Sequence, residues 1–291
     1  MSEKSFAIVC DVGCDLPAHY LEHMGAVIVD SCAEMPDDEE LTARYANAYR
    51  ALAKSGVTQI AAVHSSSAFS SEVVCACKAA ASCVDVAEVR VIESAAASAA
   101  TGMVVFRLAC FREEGASFEG ATTAARELAE QVRLLVVPSR APRFPERRAR
   151  RRGGALIRRA TSSIRVRLSG ERSLYLLSRG DLTQLARSAE LPDLTGRLAH
   201  AMSAVASAEG PLVYACVETG DERALRALMK PLDTNEFDSE CLGTLLMTEG
   251  VEHVVGRGAV GVAFVPASRY WHDPGDNPSG QDGQEQPDQL Q

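Results

Sequence analysis

The hydroxyl-rich stretch Ser65-Ser66-Ser67-Ala68-Phe69-Ser70-Ser71 lies between the apolar run Gln59–Val63 and a helical pattern reaching about Ala81. A strand end followed by hydroxyls and a helix start has two chemical uses. The hydroxyls can cap the helix, or they can join its free N–H groups in seating an anion or carboxylate. In an open α/β sheet, ligands bind at this end of the strands. His64 next to Ser65 and Ser66 raises nucleophilic catalysis, but adjacent strand residues point to opposite faces, and no G-x-S-x-G elbow is present. His64 therefore reads as a hydrogen-bonded strand-end residue, and no catalytic residue is expected. Gly256-x-Gly258-x-x-Gly261 has dinucleotide spacing, yet it precedes a strand instead of following one and opening a helix. His19, His23 and His200 fall on helical stretches without ligand spacing. The nine cysteines include no set that would close a tetrahedral site; Cys75 and Cys77 should point to different faces of one helix. Neither a metal nor a cofactor is expected.

The elements that would position the serines are legible from hydrophobic period. Phe6–Cys10, Ala26–Val29, Gln59–Val63, Val89–Ile92 and Leu134–Val137 read as strands. Between them lie helices after Asp15 (its expected N-cap, with Pro17 early in the helix), over Leu41–Leu52, from the serines to Ala81, over Ala96–Glu113, and from Ser117 to Gln131. This alternation predicts a doubly wound parallel sheet covered on both faces, an α/β domain over 1–138. Residues 139–268 read as a second α/β domain. Its expected elements are a hairpin of Ile164–Leu168 with Leu174–Leu177, helices over Thr195–Ala208 and Asp221–Met229, and strands Leu212–Cys216 and Val262–Val265. Residues 269–291, rich in Gly, Pro, Gln and Asp, read as a disordered tail.

At 291 residues, 46% hydrophobic and net charge −9, this is the composition of a soluble protein with a sizeable core. No apolar run approaches the roughly 20 residues that span a bilayer. Met1–Phe6 has no signal-peptide pattern, so a cytoplasmic location is expected. Between Arg140 and Arg167 stand eleven arginines and one acid, Glu146. The remainder is strongly acidic, which argues against nucleic acid as a partner of the whole chain.

Six stretches in order resemble the DegV family of bacterial two-domain fatty-acid-binding proteins, which includes the fatty-acid-binding subunit of bacterial fatty acid kinase. Ile8–Pro17 resembles its opening "IVTDSTADLP", Ser66–Ser71 its "SSKLSG" loop and Val91–Ser98 its "VIDSKSAS". Ser178-Arg179-Gly180-Asp181 stands where the family has "VRGR" before a helix, Glu218–Ala224 resembles "HGD-x-EA", and Gly256–Phe264 resembles "GPGALGLAF". The resemblance implies a doubly wound N-terminal domain, a C-terminal domain on a mostly antiparallel sheet, and one long-chain fatty acid between them. It also implies presentation of the acyl carboxylate to a separate kinase subunit, with no catalysis by the chain itself.

Carried over residue by residue, the resemblance makes Ser70 the carboxylate-binding serine, with Ser66, Ser67 and Ser94 as neighbouring ligand-binding hydroxyls. His253 lies one position from where the family's histidine falls, and Arg179 aligns with an arginine of the partner-facing surface. The family's "TSQP" motif is absent. Its place falls in Pro36–Glu40, whose acids would repel a carboxylate. The alternative is an interaction protein of this fold that has lost its lipid. Its arginine-rich segment would then dock an acidic protein, a phosphate-rich surface or, transiently, a membrane surface.

Overall fold

The computed structural model describes residues 6–29, 37–139, 142–144, 170–234 and 237–272. The expected strand at 164–168, most of the arginine-rich segment and residues 273–291 lie outside the described residues. Two sheets carry the fold. The first is parallel throughout, in the order β2 (Val27–Val29), β1 (Ala7–Asp11), β3 (Gln59–His64), β4 (Glu88–Glu93). The second runs β7 (Asp181–Ser188), β6 (Arg172–Ser178), β5 (Arg133–Val137), β10 (Val260–Pro266), β8 (Leu212–Glu218), β9 (Ser239–Leu246), and only its β8–β9 pair is parallel. This is the doubly wound sheet plus mostly antiparallel sheet expected from the sequence.

The period-2 alternation of each strand divides the core. Ile8, Cys10, Ala61, Val63 and Ile92 face α1 (Ala18–Met24), α4 (Ala99–Glu113) and α5 (Phe118–Ala129). Val9, Ile60 and Ala62 face α2 (Asp38–Lys54) and α3 (Glu72–Ala81). In the second sheet Leu135, Val137, Tyr214, Val262 and Phe264 pack against α6 (Leu191–Glu209) and α7 (Glu222–Thr234). Its opposite face, with Leu134, Val136, Val213, Ala215 and Ala263, shares one core with α4 and the first sheet. Helix α4 is thus enclosed by both sheets and buries residues on every side, as a helix without a polar face must. Its alanines and Gly102 permit close approach: a Cβ at Gly102 would lie 2.4 Å from the Cys14 carbonyl oxygen.

Several expectations need correction. Leu134–Val137 does not continue the parallel sheet. As β5 it pairs antiparallel with β6 and β10, and an apolar run buried on both faces reads the same in either setting. The hairpin is β6–β7, turning at Arg179–Gly180, so "VRGR" precedes a strand and not a helix. Both turn residues are left-handed (φ 50° and 73°), the conformation that matches two-residue turns to strand twist. Asp15 caps no helix: Pro17 occupies the N-cap position of α1, and Asp15, at φ 50°, closes a 3-10 turn over Val12–Cys14. β9, α8 (Glu249–Val255) and α9 (Ala267–Tyr270) had no expected counterpart; Tyr270 is buried where the tail was expected to have begun. Ser117 caps α5, and Asp37, not singled out from the sequence, caps α2, its Oδ1 accepting from the N–H groups of Glu39 and Glu40. Cys75 is buried and Cys77 exposed.

Two helical glycines should respond to alanine with opposite signs. Gly102→Ala drives a methyl into the Cys14 carbonyl and should cost about 1–3 kcal/mol. Gly196→Ala, with nothing within 4 Å of its added carbon, should gain roughly 0.5–1 kcal/mol from reduced chain entropy. Urea midpoints at unchanged slope are the measurement.

Candidate functional site

The carboxyl ends of β1, β3 and β4 lie side by side, and between β1 and β3 the strand order reverses direction, where open α/β sheets bind ligands. Three loops meet there: residues 12–17, 65–71 and 94–98.

Ser66 is the pivot of the serine loop. Its N–H donates to the Ala96 carbonyl (2.7 Å), and its own carbonyl accepts from Phe69 N (2.8 Å) and Ser70 N (3.0 Å). Its hydroxyl donates to Glu93 Oε1 (3.1 Å) and accepts from Ala68 N (3.2 Å). Ser67 adds two further bonds to the same Glu93 oxygen, from its N–H (2.8 Å) and its hydroxyl (3.0 Å). Ser94 hydroxyl shares a 2.8 Å bond with Thr101 Oγ1 and donates to the Ala96 carbonyl; Ser65 Oγ lies 3.4 Å from the same threonine. Ser70 differs: its Oγ is buried and has no partner among the described residues. It also stands one residue before Ser71, the N-cap of α3, whose first N–H groups have no intrahelical acceptor. The structure therefore gathers Ser66, Ser67, Ser94 and Ser70 into one place, and of these four only the Ser70 hydroxyl is without a partner among the described residues.

Beneath the loop runs a buried polar chain. Tyr45 hydroxyl donates to Glu72 Oε2 and lies 3.4 Å from His64 Nδ1, which lies 3.1 Å from Asp11 Oδ2; Asp11 Oδ2 also accepts from Ser65 N at 3.2 Å. All four side chains are buried. Burial raises the Tyr45 hydroxyl well above its ordinary pKa, and the nearby carboxylates of Asp11 and Glu72 add to this, so it remains a donor. His64 thus is the hydrogen-bonded strand-end residue expected, although its Nε2 and Asp11 Oδ1 have no partner among the described residues.

Asp15 joins the two sheets' loops. Its carboxylate accepts from Ser98 Oγ (2.5 Å) and from Thr248 N at the start of α8 (2.8 Å). Burial raises its pKa to about 7 against those two bonds, which lower it. Sequence reading assigned Asp15 to a helix cap and missed this role; the only available signal was an acid in the turn after a buried strand.

His253 lies elsewhere. Helix α8 turns Val251 toward Gly13, while His253 meets Arg143, whose Nη1 stands 3.2 Å from Nε2, in a recess of about 390 Å³ with Ser139, Glu249 and Glu252. Arg179 is exposed on the β6–β7 turn. Gly180 N donates to the Ala95 carbonyl at 2.9 Å, and both turn residues line a recess of about 630 Å³ that includes Glu93, Arg126 and Glu130. Phe69, which precedes Ser70, has its ring 6.1 Å from that of Phe144, which lies 5.2 Å from Tyr175. Phe144 and Tyr175 were not singled out from sequence, since nothing local distinguishes them from other core aromatics. Among the described residues no cluster of His, Cys, Asp and Glu is arranged to hold a metal, and no helix is long and apolar enough to cross a membrane.

The Asp15 carboxyl sets a pH dependence. The folded chain keeps its proton up to about pH 7, whereas the free value is 3.8, so between these limits the folded state binds more protons than the unfolded one. Its contribution to stability falls as pH rises through that window, by up to about 1.4 kcal/mol per unit, and is flat above it. Asp15→Asn should remove this slope: the stability difference between variant and parent, from urea melts at pH 4–8, should shift toward the variant as pH rises to 7.

Comparison with known proteins supplies the frame. Residues 41–143 match the family model described as uncharacterised protein, DegV family. No curated protein sequence matches. Among solved structures, a DegV family protein from Corynebacterium glutamicum superposes with a TM-score of 0.72 at 20% identity, over 90% of this chain and 97% of that one. A fatty-acid-binding DegV family protein from Thermus thermophilus gives 0.70 at 20% identity, over 90% and 99%. A stearic-acid-binding protein from Eubacterium ventriosum gives 0.68 at 16% identity, over 91% and 99%. The chain thus carries a DegV-family sequence match over residues 41–143 and, over nine-tenths of its length, the fold of solved DegV-family proteins.

Proposed function

We propose that this chain binds a long-chain fatty acid between its two sheets, holds the carboxylate at Ser70, and presents it to a partner kinase in the cytoplasm of a bacterium. The observation that carries the reading is the Ser70 hydroxyl, buried and without a partner among the described residues, in the loop that leads into α3, one residue before its N-cap Ser71. An orphaned buried hydroxyl costs free energy that a carboxylate would recover. A hydrogen bond to a charged partner contributes about 1.5–3 kcal/mol, and the acyl chain adds about 0.8 kcal/mol for each CH₂ removed from water. Phe69, the residue before Ser70, continues through Phe144 to Tyr175 as a run of packed aromatic rings. The likeness to proteins described as fatty-acid-binding supports the same ligand class.

The second reading is an interaction protein that has lost its lipid. It is favoured by Glu93, which already engages Ser66 and Ser67, and by the acids that begin α2 where the family's "TSQP" would stand.

Native mass spectrometry of the protein purified from bacteria separates the two. Under the first reading a fatty acid copurifies, and Ser70→Ala weakens its binding about tenfold or more. An empty protein in every preparation selects the second. For the kinase step, Arg179→Ala should leave the bound lipid unchanged and abolish kinase-dependent phosphorylation of the acyl carboxylate. Loss of the lipid itself would remove Arg179 from the partner-facing surface.

A further inference from the structure

Glu93 ends β4 and is exposed, yet one of its carboxylate oxygens takes three hydrogen bonds from a neighbouring loop: Ser66 Oγ, Ser67 N and Ser67 Oγ. Exposed acids ordinarily spend their lone pairs on water. A carboxylate that gathers three donors from two consecutive residues fixes the conformation of those residues, because charge-assisted bonds are short and directional.

The flanks of this arrangement are braced independently. Ser94 N donates to the His64 carbonyl at 2.8 Å and Ser66 N to the Ala96 carbonyl at 2.7 Å, so the β3 and β4 ends are stitched to each other. From the second sheet, Gly180 N binds the Ala95 carbonyl. Ala95 and Ser98 both have positive φ (55° and 58°), which non-glycine residues keep only where surrounding bonds over-determine it. The base that carries Glu93 is therefore rigid, whereas Ser67, exposed in the loop, has no other side-chain anchor among the described residues.

We propose that Glu93 is a positioning residue for the carboxylate seat, orienting the Ser70 hydroxyl through Ser66 and Ser67 without touching the ligand. The path is short. Glu93 holds the Ser66 hydroxyl and Ser67 N–H, and the Ser66 carbonyl in turn accepts from the N–H groups of Phe69 and Ser70. Any swing of the Ser66–Ser67 peptide displaces that carbonyl, and with it the Ser70 backbone. The inference rests on the reading that Ser70 binds an acyl carboxylate. It adds that this selectivity depends on a negatively charged neighbour, which simple electrostatics would count as repulsive.

The sign of one measurement decides between these roles. Delipidated protein is titrated with palmitic acid and with hexadecan-1-ol, which share a chain and differ in the head. In the parent the acid should bind more tightly, and Ser70→Ala should collapse that preference. Glu93→Ala should lower the acid-to-alcohol preference about fivefold, leaving alcohol affinity and thermal midpoint near the parent's; a residue that served only folding would lower both ligands together. Glu93→Gln, which can still accept the three bonds, should retain most of the preference. An unchanged or increased preference in Glu93→Ala, with Ser70→Ala behaving as stated, overturns the positioning role and marks Glu93 as a repulsive neighbour. Failure of the parent to bind either ligand, or indifference of the preference to Ser70→Ala, overturns the Ser70 reading and this inference with it. Should Glu93→Ala fail to fold, Ser67→Ala removes one of the three bonds at an exposed position and should shift the preference in the same direction by less.

Discussion

Enclosure of α4 by both sheets is the constraint on which the rest of the molecule depends. A helix buried on every side has no solvent face to absorb error, so its neighbours must approach at fixed distances, and small side chains over Ala99–Gly102 allow that approach. Its two ends are then committed. At the carboxyl end the buried Arg112 donates to the Phe6 and Met24 carbonyls, and Arg107 stacks on Phe111, Tyr270 and Trp271. Positive charge suits that end of a helix, and the two arginines tie the first strand's entry and the final short helix to it. At the amino end Ser98 and Thr101 bond Asp15 and Ser94, two of the loop residues that surround the serines. The site is therefore set by the same helix that joins the sheets.

Counting donors against acceptors explains why one serine stands apart. Glu93 absorbs Ser66 and Ser67, Thr101 absorbs Ser94 and stands within reach of Ser65, and Asp11 takes the Ser65 N–H. Each of these bonds lowers the cost of burying a hydroxyl or amide, and together they fix the loop's shape. The price is borne at Ser70, whose hydroxyl is buried without a partner among the described residues. A native fold tolerates few such groups, and they concentrate where a ligand or water completes them.

Much of this was legible in the sequence because periodicity and caps act locally. The parallel strands, α2, α5 with Ser117 and the serine loop all follow from neighbours within a turn or two. What was not legible depends on partners distant in the chain. The sequence run Leu134–Val137 cannot reveal whether it will meet a parallel or an antiparallel neighbour, since it is buried on both faces either way. Asp15 resembled a helix cap because Pro17 follows it, but its bonds reach Ser98 and Thr248, and the latter lies 233 residues away. Glu93 was read only as part of a motif, because its three donors come from a loop 26 and 27 residues earlier. His253 was placed by a motif offset, whereas α8 turns its Val251 toward the first-sheet loops and leaves the histidine beside Arg143.

The arrangement also bears on how affinity and selectivity divide. A long acyl chain gains most of its binding free energy from apolar burial, which does not distinguish an acid from an alcohol or an ester. The head contributes less, yet it alone carries chemical identity, so a protein that must present a carboxylate needs the head held in one geometry even at modest energetic gain. A loop clamped by Glu93 on one side and Asp11 on the other meets that need through rigidity, with two carboxylates spent on orienting donors. Their charge opposes the ligand's, but hydrogen bonds to a carboxylate oxygen draw its charge toward the donors, and the exposure of Glu93 lets water screen the remainder of its charge. Rigid presentation of one hydroxyl and the α3 N–H groups can then outweigh a screened repulsion, because preorganised donors lose little on binding.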